Sequence, residues 1–151
     1  MQQGYLAVVL DRQSHLELKK LAKHEKVHCH HANLQFGVRD VDVADHIGRV
    51  VEMKSRWLYQ DNDAAALTIQ FMDPEVTGLC RDRFAHITLS CAEGVKPSYS
   101  NKMIEESSGG DYQSLGDIPL LGEIEFIAFD PQPEEYRLAA NKEKPVERKV
   151  D

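Results

Sequence analysis

The chain has 151 residues, 42% of them apolar and 28% charged, which are the proportions of one ordinary globular domain with or without a tail. Lys plus Arg number 18 and Asp plus Glu 25, a net charge of −7, which argues against a protein whose main work is holding long duplex nucleic acid on a basic surface. It leaves open a small anionic ligand in a locally positive pocket. No apolar run approaches the roughly 20 residues of a membrane helix. Met1-Gln2-Gln3-Gly4 lacks the positive charge and the cleavage site of a signal peptide. The cysteines (Cys29, Cys80, Cys91) are odd in number and form no CxxC pair, so a reduced, cytoplasmic chain is expected.

In chain order, Gly4 to Asp11 is an apolar run that reads as a buried first strand. Ser14-His15-Leu16-Glu17 has the form of a capping box, which predicts a helix over 14–25. Val27 to Phe36 reads as a second strand closed by Gly37, and 38–50 as a loop or edge segment. Val50 to Gln60 and Ala64 to Met72 form a hairpin about the Asp61-Asn62-Asp63 turn. A helical turn near 74–80 follows, with Pro74 at its first position. Phe84 to Cys91 is a further strand, 100–106 a short helix, 107–116 a polar loop and Leu120 to Phe129 the last strand. After residue 130 the composition changes. Residues 131–151 carry five acids and five bases, so the whole −7 lies on residues 1–130. The chain divides into a domain over 1–130 and a charged C-terminal tail over 131–151, a segment suited to docking on a second subunit.

Two of these strands share a pattern. One holds His31-Ala32-Asn33-Leu34 and the other His86-Ile87-Thr88-Leu89. Residues two apart in a strand share a face, so His31 projects with Asn33 and His86 with Thr88. The opposite faces carry His30, Ala32, Leu34 and Phe36 in one strand and Ala85, Ile87, Leu89 and Cys91 in the other, which suits a core. Two imidazoles turned to one site serve as general base and general acid near neutral pH. Hydroxyl or amide donors beside them hold a phosphoryl oxygen. This is an arrangement for cleaving a phosphodiester without a metal.

The two tetrads resemble the paired H-x-T/S-x motifs of the 2H phosphoesterase superfamily. Together with Gly4 to Asp11, His30 to Gly37 and the loop Gly94-Val95-Lys96-Pro97-Ser98-Tyr99-Ser100-Asn101, they resemble a phage-type branch that includes the anti-CBASS nucleases, over residues 4–130. The resemblance implies an α+β fold of two pseudo-symmetric lobes, with antiparallel sheets around a central groove and helices outside. It implies metal-independent hydrolysis of 3′,5′-linked cyclic di- or trinucleotide defence signals in the host cytoplasm, with no cofactor. His31 and His86 would share the base and acid roles, and Thr88 would bind phosphate. Asn33 stands where the family has Thr or Ser; its amide still donates a hydrogen bond but with different reach. Two alternatives stay open: a 2′,3′-cyclic phosphodiesterase of RNA repair, and a non-catalytic sponge that binds cyclic nucleotides.

Other residues weigh less. His28, His30 and His31 with Cys29 invite a zinc reading, but strand alternation puts His28 and His30 on one face and His31 on the other, and a site needs three or four converging ligands. Lys96 and the Ser98–Asn101 turn offer an anion site at a helix start, or a plain capped turn. Tyr5, Trp57, Tyr59 and Tyr99 are candidates to stack on a base, with Tyr5 and Trp57 preferred; core packing is the competing role. The expected partner is a small phosphodiester, not a membrane or a long duplex.

Overall fold

The computed structural model describes residues 2–106 and 112–129. The division at residue 130 and the tail over 131–151 lie outside the described residues. The elements are β1 (Gln3–Leu10), α1 (Arg12–Lys19), β2 (Lys26–Val27), β3 (His31–Arg39), α2 (Asp40–Val43), β4 (Val50–Gln60), β5 (Ala64–Phe71), α3 (Pro74–Leu79), β6 (His86–Cys91), α4 (Tyr99–Glu106), β7 (Tyr112–Ser114) and β8 (Pro119–Ala128).

Six strands form a closed antiparallel ring in the order β6-β3-β1-β8-β4-β5, with β5 returning to β6; β2 pairs with β6 and β7 with β4 outside it. Closure removes sheet edges and gives the strands an inside and an outside. The inside is filled by Leu6, Val8 and Leu10 of β1, Ala32 and Leu34 of β3, Ile87 and Leu89 of β6, and by Met53 of β4, Leu67 of β5 and Ile124 of β8, all buried. The outer face of β5 and β6 carries Ala64, Ala66 and Cys91, covered by Met103 and Ile104 of α4. The result is a mixed α and β domain with an antiparallel sheet. The strand pairing runs unbroken around the ring and draws no boundary between two lobes.

Most strands fall where the hydrophobic pattern puts them; the departures have local causes. The first helix begins at Arg12 because Asp11, not Ser14, is its cap: the Asp11 carboxylate accepts from the Ser14 amide at 2.8 Å. Ser14 lies inside the helix, buried, and its Oγ accepts from the Leu121 amide at 2.8 Å. The strand read over 27–36 is broken at 28–30, where Cys29 takes φ 48°. The segment 38–50 holds α2 and a turn of 3-10 helix over Ala44–His46. Tyr112–Ser114 of the supposed loop is a short strand against β4; residues 107–111 lie outside the described residues.

Candidate active site

The site forms where β3 meets β6. Their one ladder pair is Ala32 with Ile87, both turned into the core. Continuing that register sets His31 opposite Thr88 and Asn33 opposite His86. All four therefore stand on the outer face, and each motif's histidine is laid across the other motif's hydrogen-bonding residue. The flanking strands leave them room: Val9 and Ala7 of β1 neighbour His31 and Asn33, and Ala66 of β5 neighbours Thr88.

The two tetrads are locally equivalent in a further respect. The register of β3 on β1 slips by one residue at Leu34, and that of β6 on β5 slips by one at Leu89. In both strands the last residue of the tetrad is the extra residue of a β-bulge. Both leucines stay buried in the core. Beyond each bulge the alternation is inverted. Phe36, expected on the core face with Leu34, is therefore thrown to the cleft side, where it pairs with Tyr5 and is 67% exposed.

The expectation for His30, that it sits on the core face, is overturned by the same kind of event. The left-handed residue Cys29 resets the alternation, so His28, His30 and His31 all line the cleft. The turn is pinned on both sides. The His28 and Cys29 amides donate to Leu89 and Thr88 carbonyls at 2.9 and 3.0 Å, and the Leu10 amide donates to the His30 carbonyl at 2.9 Å. His15 Nδ1–H donates to the Cys29 carbonyl at 2.9 Å.

The cleft encloses about 750 Å³ and is walled by the histidines, by Tyr5, Phe36 and Phe129 on one side, and by Pro97, Ser98 and Asn101 on another. His86 Nδ1–H donates to the Phe84 carbonyl at 2.8 Å, which leaves Nε2 for the cleft. His31 Nδ1 lies 2.9 Å from His30 Nδ1, and the Tyr5 ring is 5.4 Å from the His31 ring. Thr88 Oγ1 is 2.7 Å from Ser100 Oγ, a buried residue inside α4 and not its cap. Burial, then the neighbouring His30, push His31 down to about 3, against the nearby Asn33 side chain, which raises it. Burial also lowers His28. Burial raises the Asp82 carboxyl, and His86 pulls it partly back. Three buried polar atoms of the cleft have no partner: His28 Nε2, Asn33 Oδ1 and Asp82 Oδ2. Such atoms are what a bound polar ligand satisfies.

The structure brings together His31, Asn33, His86, Thr88, Tyr5 and Ser98. Trp57, Lys96 and Tyr99 are not among the lining residues. Trp57 is on β4, across the ring from β3, with its ring edge-on to Tyr112 at 5.3 Å. Tyr99 donates its hydroxyl to Asp61 at 2.6 Å, which turns it toward the β4–β5 hairpin. Lys96 is exposed in the loop before α4. Sequence reasoning missed Asp82 and Phe129, which carry no pattern of their own, and His30 and Phe36, which alternation assigned to the core. Asn101 closes the loop that carried the resemblance.

No group of three or more His, Cys, Asp or Glu among the described residues is arranged to hold a metal ion. No helix of the described residues is long and apolar enough to cross a membrane.

The model of the fungal tRNA ligase phosphodiesterase domain family matches residues 11–125. A crystal structure of a fungal RNA kinase shares the fold, with a TM-score of 0.55 at 13% identity over 82% of this chain. The matched part is 42% of that longer chain. No curated protein sequence matches.

Proposed function

Because the chain belongs to the fungal tRNA ligase phosphodiesterase domain family, and with it to the 2H-phosphoesterase-like superfamily, we propose that it is a phosphodiesterase that opens 2′,3′-cyclic phosphate ends of RNA. The observation that carries this reading is the seam of β3 and β6, where two imidazoles and two hydrogen-bond donors converge on one open cleft. His31 and His86 exchange protons with the attacking water and the leaving ribose oxygen. Thr88 and Asn33 hold the non-bridging phosphoryl oxygens. Tyr5 and Ser98 contact the nucleoside.

The cleft lining contains no Lys or Arg among the described residues. The groups in that lining that can meet a phosphoryl monoanion are the imidazoles and the hydroxyl and amide donors. The negative body around it disfavours a long polyanion, so the substrate is a chain end or a small molecule. The test is hydrolysis of 2′,3′-cyclic mononucleotides and of an RNA oligonucleotide with a 2′,3′-cyclic end. Native protein is expected to open both, and His31→Ala and His86→Ala to lose roughly 10²–10⁴ in kcat. Full activity in both variants would sink the reading.

A second reading, hydrolysis of 3′,5′-linked cyclic di- or trinucleotide signals of the anti-CBASS kind, is supported by size. A cleft of about 750 Å³ lies in the upper part of the range for small-ligand pockets and has room beyond a single nucleotide. The same assay run on cyclic dinucleotides separates the two. Binding without turnover on every substrate would favour the sponge.

A further inference from the structure

The two histidines sit in unlike surroundings, and the difference is built by residues outside the H-x-T/S-x pattern. Around His31 stand other imidazoles: His30, in direct contact, and His28 from the same turn, with His86 across the seam and the Tyr5 ring over it. Around His86 stand Asp82 and Arg83 from the connection that precedes β6, Glu105 from α4, and His31. Asp82 is the carboxylate that shares the main cleft with His86, and its buried Oδ2 has no hydrogen-bond partner. Arg83 lies over the Phe84 ring, 5.3 Å from its centre.

Hydrogen bonding separates the two further. The Phe84 carbonyl can only accept, so His86 keeps a proton on Nδ1 in every state and gains or loses one at Nε2. Two Nδ1 atoms 2.9 Å apart need one proton between them. If His30 Nδ1 accepts it, His31 carries Nδ1–H and turns a bare Nε2 to the cleft.

We propose that Asp82 and His30 are positioning residues that fix the direction of proton flow: Asp82 equips His86 to deliver a proton, and His30 holds His31 as the neutral base. The proposal deepens the phosphodiesterase reading and rests on it. Water attacks phosphorus while its proton passes to His31 Nε2. The P–O bond to the ribose oxygen breaks, and that oxygen takes the proton from His86 Nε2–H. One P–O bond forms and one breaks, one water is consumed, and the proton left on His31 returns to His86 through solvent. An imidazolium at His86 faces a carboxylate; one at His31 faces imidazoles. Only the first is electrostatically favourable. The low position of His31 agrees with this direction.

Two measurements test it. The first is kcat/KM against pH with a 2′,3′-cyclic nucleotide, whose upper limb reports the acid. In Asp82→Asn, a near-isosteric change, that limb is expected to move to lower pH, with the lower limb in place. The second needs no activity: nitrogen NMR of the imidazoles. Native His31 is expected to carry its proton on Nδ1. His30→Gln, whose side-chain oxygen accepts the same bond, keeps that tautomer and most of the rate. His30→Phe loses the tautomer and about 10–100-fold in kcat. The proposal is overturned by an unmoved upper limb in Asp82→Asn, by a native His31 protonated on Nε2, or by Gln and Phe behaving alike at position 30. A protein that opens no cyclic phosphate defeats the functional reading instead, while the His31 tautomer and the His86 titration in Asp82→Asn still decide the polarity.

Discussion

Ala32 of β3 is paired with Ile87 of β6, and this one ladder pair of two buried apolar residues sets the register that faces His31 with Thr88 and Asn33 with His86. The first prediction follows from that crossing. Asn33 occupies the position equivalent to Thr88, so its amide is the second donor to the phosphoryl group. Asn33→Ala is expected to lower kcat/KM by ~10²–10³, as loss of an oxyanion donor does. Asn33→Thr, which restores a hydroxyl and removes the unpartnered buried Oδ1, should stay within about tenfold of native and gain about 1 kcal/mol of stability. Steady-state rates and denaturant midpoints of both variants check this.

Thr88 is itself held from behind by Ser100 of α4, 2.7 Å away. When Ser100 donates, the Thr88 hydroxyl hydrogen is free for the phosphate; when it does not, Thr88 turns toward the Pro97 carbonyl at 3.5 Å. Ser100→Ala should therefore cost about 1–2 kcal/mol of stability and a modest, roughly tenfold, share of kcat/KM. Thr88→Ala should cost ~10²–10³ in kcat/KM. Equal rate losses in the two would mean that Ser100 touches the substrate directly.

The pH dependence of stability has its sign from His31. In the unfolded chain it takes a proton near the ordinary imidazole value of 6.5; in the fold, burial and the neighbouring His30 delay this to about 3. Between those values the unfolded state binds more protons. The contribution of neutral His31 is therefore complete above 6.5 and is lost as pH falls toward 3. Each unit crossed inside that window removes about 1.4 kcal/mol per proton. The denaturant midpoint should fall as pH is lowered from about 7 to about 4, and His31→Asn should flatten that slope. An equal slope in the variant would place the acid sensitivity elsewhere.

How much of this was legible in the sequence depends on the range of the cause. Hydrophobic runs located β1, β4, β5, β6 and β8, because burial in a closed sheet demands apolar stretches wherever it occurs. The placement of His31, Asn33, His86 and Thr88 on one cleft was legible because two matching tetrads on two strands imply two matching faces. Alternation failed where one residue was added or one backbone angle inverted. The bulge at Leu34 moved Phe36 to the cleft, and the left-handed Cys29 moved His30 there. Neither event changes composition, and neither Leu nor Cys announces it. Trp57 failed for a different reason: its strand was read correctly, but which strands adjoin which is a property of ring closure, and that closure puts β4 opposite β3.

The last prediction concerns the seam that supports the site from below. β1 lies between β3 and β8, and glycines sit near both ends of its pairing with β8: Gly4 opposite Ala128, and Gly122 opposite Leu10. A Cβ on Gly122 would meet the Val9 carbonyl oxygen at 2.6 Å and Val8 Cγ1 at 2.7 Å; one on Gly4 would strike the Ile127 carbonyl oxygen and come within 2.8 Å of Ala128 Cα. These neighbours are mostly backbone, so the strands must part to admit a methyl group. Gly4→Ala and Gly122→Ala are each expected to cost about 1–3 kcal/mol, the range of overpacking, read as a lower denaturant midpoint. Both reach the site, by different routes. Gly4 adjoins Tyr5, whose ring packs on His31, so Gly4→Ala should also lower kcat/KM under conditions where the protein remains folded. Gly122 presses on the Val9 carbonyl, and Val9 is the β1 neighbour of His31, so Gly122→Ala should lower kcat/KM of the folded protein as well, by displacing His31 rather than Tyr5. Lower stability with kcat/KM intact in both would mean that β1 yields to the added methyl group without moving Tyr5 or His31.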